Sequence, residues 1–112
     1  MEQACDLTSK RCKPCEGGVP PLSQAEADNM MKQLEGWQQS GNQIDKTYHF
    51  KNYYQTIAFV NAIAWMAHRE DHHPSLTVTY NSCQMEYTTH AIGGLSENDF
   101  ICAAKADALF GL

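Results

Sequence analysis

Residues 52–94, NYYQTIAFVNAIAWMAHREDHHPSLTVTYNSCQMEYTTHAIGG, decide the fold. Apolar side chains first recur at helical spacing. Tyr53, Ile57, Val60, Ala64 and Ala67 make one stripe, and Phe59, Ile63 and Met66 make a second. This predicts a helix from about Asn52 to Asp71. Pro74 is expected to end it, because a proline pushes the preceding residue out of the α region. The period then drops to two. Leu76, Val78 and Tyr80 alternate with Thr77 and Thr79, and Cys83, Met85 and Tyr87 alternate with Gln84, Glu86 and Thr88. With Asn81-Ser82 as the turn, this predicts an antiparallel hairpin that Gly93-Gly94 closes off.

The flanking segments repeat the pattern. On the N-terminal side, Ser23 with Glu26 makes a capping box for a helix that carries Met30, Met31 and Leu34 and stops at Gly36. Trp37–Ser40, Gly41-Asn42 and Gln43–Phe50 read as a first hairpin. On the C-terminal side, Ser96 with Asp99 makes a second capping box, and a helix is expected to about Phe110. The order is helix, two strands, helix, two strands, helix. It predicts an α+β domain: a four-stranded antiparallel sheet covered on one face by three helices. Residues 1–21 read as an irregular N-terminal arm and residues 22–112 as a single domain. One apolar stripe on the long helix can cover the sheet, and the second predicts a homo-oligomer.

The 112 residues are 43% hydrophobic and 19% charged, a globular composition with room for one modest core. The net charge of -5 and the lack of a basic run beyond Lys10–Lys13 argue against nucleic-acid binding. No apolar run approaches a membrane span, and the first residues do not read as a signal peptide. A cytoplasmic location is expected. The cysteines are Cys5, Cys12, Cys15, Cys83 and Cys102. Their odd number argues against a disulfide framework. Cys12-Lys13-Pro14-Cys15 has no second pair to complete a zinc site and precedes loop chemistry, so it reads as a loop with reduced thiols.

His72 and His73 sit where the long helix must end, and His90 lies at the far end of the hairpin that folds back toward them. Imidazoles titrate near neutrality, so a cluster of them suits proton transfer. The rival reading is zinc at His68, His72 and His90, but the glutamate of an HExxH site is absent, since Arg69 follows His68. Gly93-Gly94 could let the backbone approach a ligand. Asp99 is a helix cap that could also hold an imidazole. Trp37, at the start of a strand, reads more as core than as site.

Histidines 72, 73 and 90 with Pro74 and Asp99, at this spacing, resemble the pterin-4a-carbinolamine dehydratases. Tyr80-Asn81, Thr89-His90, Gly94-Leu95-Ser96, Gly36-Trp37 and His49-Phe50-Lys51 extend the likeness over roughly residues 22–110. The arm from Cys12 to Gly18 looks like that of bacterial members. The resemblance implies the same fold, assembly as a homodimer or homotetramer, and dehydration of a 4a-hydroxytetrahydropterin to the quinonoid dihydropterin. That reaction recycles the cofactor of aromatic amino-acid hydroxylases and implies a link to phenylalanine hydroxylase. His72 and His90 would be the acid–base pair, His73 would position the pterin, and Asp99 would orient a histidine. Trp37, Pro74 and Thr89 would contribute to substrate binding. No metal or bound cofactor is implied, because the pterin is the substrate. His68, Leu76 and Asn98 depart from the pattern of animal members. The alternative on the same fold is a non-catalytic protein-binding, assembly or coactivator module.

Overall fold

The structure is a computed structural model that describes residues 7–14 and 19–112. Its elements follow the expected order: α1 (Gln24–Met31), β1 (Gln38–Ser40), β2 (Gln43–His49), α2 (Tyr53–Glu70), β3 (Ser75–Val78), β4 (Ser82–Tyr87) and α3 (Glu97–Phe110). The strands form one antiparallel sheet in the order β1-β2-β4-β3. The register pairs Ile44 with Tyr87 and Tyr48 with Cys83, so one face of the sheet collects Ile44, Tyr48, Cys83, Met85 and Tyr87. All five are buried under the helices, with Phe59 and Ile63 of α2 and Phe100 and Ile101 of α3. The other face carries Gln38, Asp45, Thr47, Gln84, Glu86 and Thr77, the polar half of the period-two pattern.

On α2, the stripe of Phe59, Ile63 and Met66 enters the core. The other stripe is the outer one: Tyr53 and Ala64 are exposed, Ile57 and Val60 half-buried, and only Ala67 is buried. Asn52 caps the helix start by accepting from the Gln55 N–H at 2.9 Å. The far end differs from the expectation. The helix stops at Glu70, before Pro74 can act. Asp71 takes the left-handed conformation (φ 54°). The Asp71 and His72 N–H groups then turn back to the His68 and Ala67 carbonyls, which is a Schellman cap. Here the cap uses aspartate where glycine would be unstrained.

Three smaller differences have local causes. α1 is shorter than its pattern, because Gln33 and Leu34 make tight bonds to Met30 and Met31 and Leu34 falls outside the helix. The second hairpin turns at Tyr80-Asn81, since the Thr79 N–H bonds the Ser82 carbonyl. Tyr80 is therefore at the tip and exposed. Within the expected arm, Leu7–Ser9 forms a turn of 3-10 helix whose Leu7 is buried in the core. Cys5, Cys15 and the rest of the arm at 1–6 and 15–18 lie outside the described residues.

Candidate active site

The Schellman cap positions the site. It turns the chain sharply after α2, so that His72 leaves the helix end pointing under β4 while His73 stays exposed. β4 runs back alongside and delivers Thr89. Thr89 and Gly94 then pair through both their backbones, at 3.0 and 3.4 Å, and pinch His90–Gly93 into a tight loop. Gly94 is needed for packing. A Cβ there would stand 2.8 Å from the Pro21 side chain, while Gly93 faces open space.

His72, His73 and His90 line one cleft of about 460 Å³, together with Thr88, Thr89, Asn98 and the Cys12–Pro14 segment. Two roomier grooves, of about 520 and 590 Å³, run along α2 and α3. The first holds no histidine and the second only His49, so size does not mark the chemistry here.

Asp99 organises the cleft from below. Its carboxylate is fully buried, and its two oxygens have separate tasks. Oδ1 lies 2.7 Å from His72 Nε2. Oδ2 accepts from the Ser96 N–H at 3.0 Å and from the Thr89 hydroxyl at 2.8 Å. One oxygen caps α3 and the other holds an imidazole. The Thr89 hydroxyl gives its proton to Asp99, so the Ser96 hydroxyl, 2.8 Å away, is the donor to Thr89. With Nε2 engaged by Asp99, Nδ1 is the His72 nitrogen left for a ligand. The ring also stacks on Tyr87, with centroids 5.7 Å apart and planes 10° from parallel. The Tyr87 hydroxyl is buried with no hydrogen-bond partner among the described residues. Burial, with Cys102 close by, pushes its phenol further above the ordinary range.

Not every expected residue is here. Trp37 does not wall the cleft. It is 8% exposed in the core, against Tyr48 and Tyr87, and its indole N–H donates to Asp107 at 3.1 Å. Lys46 and Tyr48 converge on the same carboxylate, which fixes the ring away from the histidines. Pro74 is half-buried behind His73 and does not line the cleft. His68 lies beside Trp65, its ring tilted 35° to the indole, on an exposed face of α2 and does not line the cleft.

Two positions had no assigned role in the sequence. Glu70 is buried and receives the Cys12 N–H at 2.8 Å and the Arg11 guanidinium at 3.0 Å. Asn98 bonds the backbone of Lys13 both ways, accepting from its N–H at 3.0 Å and donating to its carbonyl at 2.6 Å. Together they clamp residues 11–13 onto the rim as one wall of the cleft. Burial alone would raise the Glu70 pKa, but the Cys12 N–H, Lys105 and Arg11 outweigh it and hold it below the usual carboxylate value. The available signal was its place, since a carboxylate in the last turn of a helix opposes the helix dipole and so needs partners.

The family model for pterin 4 alpha carbinolamine dehydratase matches residues 20–109. The chain belongs to the pterin-4a-carbinolamine dehydratase family. Two inferred dehydratases of this family illustrate the likeness. The Nitrosomonas eutropha protein is 67% identical over 110 residues, covering 97% of each chain. The Nitrosospira multiformis protein is 70% identical over 105 residues, covering 94% of this chain and 93% of that one. Among solved structures, a transcriptional coactivator/pterin dehydratase from Brucella melitensis superposes with a TM-score of 0.77 at 28% identity, over 80% of this chain and 97% of its own. A pterin dehydratase-like RuBisCO assembly factor of the alpha-carboxysome matches more loosely, with a TM-score of 0.57 at 26% identity over 67% of this chain and 87% of its own. The pterin-dehydratase fold is thus shared by proteins described in different terms, and the side chains in the cleft must carry the functional argument.

Proposed function

We propose that this protein dehydrates a 4a-hydroxytetrahydropterin to the quinonoid dihydropterin by histidine acid–base catalysis. The observation that carries the reading is the His72–Asp99 pair, held at 2.7 Å in a cleft that also contains His73 and His90. The reaction breaks the C4a–O bond and removes a proton from N5, and the products are water and the C4a=N5 double bond. Hydroxide is a poor leaving group, so a donor must protonate the oxygen as it departs, while an acceptor takes the N5 proton. His72 and His90, which line the same cleft, serve as this pair, each worth about 10²–10⁴-fold. Asp99 fixes the tautomer and orientation of His72. His73 positions the pterin, and Thr89 acts through Asp99. The cleft needs no metal for this chemistry. In the cell, such an activity would recycle the pterin of an aromatic amino-acid hydroxylase such as phenylalanine hydroxylase, in the cytoplasm. We assign the domain to residues 22–112, with the clamped arm completing one wall.

The test is a coupled assay in which phenylalanine hydroxylase generates the carbinolamine and its decay is followed by ultraviolet absorbance. Chelator-treated wild type should accelerate decay. His90→Ala should lower the rate at least tenfold with an unchanged melting temperature, and His72→Ala, His90→Ala together should approach the spontaneous rate. Decay no faster than the spontaneous rate with wild type would leave the fold as a protein-binding module, and recovery with added zinc would favour a metal site.

A further inference from the structure

The cysteines are not absorbed by this chemistry, and two of them meet. Cys12 Sγ lies 3.5 Å from Cys102 Sγ, across 90 residues of sequence. We propose that Cys12 and Cys102 form a reversible disulfide, a redox-modification site that staples the N-terminal segment to α3 beside the histidine cleft. Cys12 is not brought there by chance contact of a loose strand. Its own N–H is held by Glu70, the next residue is held on both sides by Asn98, and Leu7 anchors the segment in the core. These bonds aim the Cys12 side chain at α3. Cys102 is fully buried on α3, and its sulfur is also 3.9 Å from the His72 carbonyl. Cys83, the remaining described cysteine, is fully buried on β4 facing the core.

The two thiols have different access, which sets their order of reaction. Cys12 is half-buried and lines the cleft, so a small oxidant reaches it first. Cys102 is sealed behind it and can act only as the resolving thiol. With a hydroperoxide, the Cys12 thiolate attacks one peroxide oxygen, forming a sulfenic acid and releasing water. The Cys102 sulfur then displaces that oxygen as a second water. The sum is two thiols and hydrogen peroxide giving one disulfide and two waters. A dithiol reverses it by exchange. A disulfide needs about 2.05 Å between sulfurs, so the pair must close by about 1.5 Å. The half-buried Cys12 side chain, rather than buried Cys102 on α3, is the one that would turn to supply it. The Cys102 contact, with burial, holds the Cys12 thiol well above its ordinary range, so oxidation should be slower than at an open thiol.

The experiment treats the full-length protein with a small excess of hydrogen peroxide at pH 8, followed by mass measurement and non-reducing peptide mapping. The chain should lose two hydrogens without dimerising. Cys15→Ala should still give the cross-link to Cys102, and Cys12→Ser should abolish it. The oxidised protein should melt about 5 °C or more above the same sample in dithiothreitol, because the bond closes a loop of about 90 residues. A link between Cys12 and Cys15, a covalent dimer, or over-oxidised Cys12 with no cross-link would each overturn the assignment. The readout is covalent, so it stands or falls independently of the dehydratase activity.

Discussion

At the residue scale, two buried carboxylates do most of the organising. Asp99 has both oxygens committed, one to His72 and one to the cap of α3. Glu70 plays the corresponding part for the N-terminal segment, and it titrates. A carboxylate whose pKa is lowered on folding stabilises the protein above its unfolded value, near 4.5, and loses that contribution as pH falls through the folded value. Wild type should therefore melt higher than Glu70→Gln at neutral pH, and the gap should shrink steadily below about pH 4.5. Melting curves of the two proteins from pH 7 to pH 3 check this. A gap of constant size would show that ionisation of Glu70 is not what holds the segment. The three histidines were legible in the sequence because each sits at an element end, and a hairpin must return its far end. Trp37 was not. Its place is decided by Asp107, 70 residues away, together with Lys46 and Tyr48. No local pattern encodes that convergence, and the Cys12–Glu70 and Lys13–Asn98 contacts escaped for the same reason.

At the scale of elements, the strands and their pairing were readable because alternation with period two leaves a single register that buries Ile44, Tyr48, Met85 and Tyr87 together. Helix ends were less readable. The Pro74 rule gave the right neighbourhood but the wrong agent, since Asp71 stops α2 in a conformation that the sequence does not announce. A side chain there costs about 1–2 kcal/mol in the left-handed region, while glycine is free of it. The Asp71 carboxylate makes no hydrogen bond or ion pair among the described residues that would offset this. Asp71→Gly should thus gain about 1 kcal/mol, or roughly 4 °C in melting temperature. Thermal denaturation is the check. A lower melting temperature would mean that the carboxylate contributes more than its strain costs. The same variant keeps His72 and His73 on the same turn, so it separates the shape of the cap from its charge.

At the scale of the whole molecule, the helical layer is the side left unfinished. Tyr53, Tyr54 and Trp65 are exposed on α2, at 48%, 81% and 63%, and Phe110 and Leu112 add to the same layer, while the open sheet face is polar. No helix of the described residues is long and apolar enough to cross a membrane. We expect these exposed side chains to be covered in a homo-oligomer, and light scattering at micromolar protein should return a mass of two or four chains. A strict monomer across that range would leave the stripe unexplained by self-assembly. Asp99 has one more consequence, and it concerns motion. Because the same carboxylate closes the first turn of α3 and steadies His72, that turn cannot fray while the imidazole stays in place. The next residues, Phe100 and Ile101, are fixed in the core. Amide hydrogens in the first turns of α3 should then exchange with solvent more slowly than those of an uncapped helix start, and the loss of His72 from Asp99 should speed them.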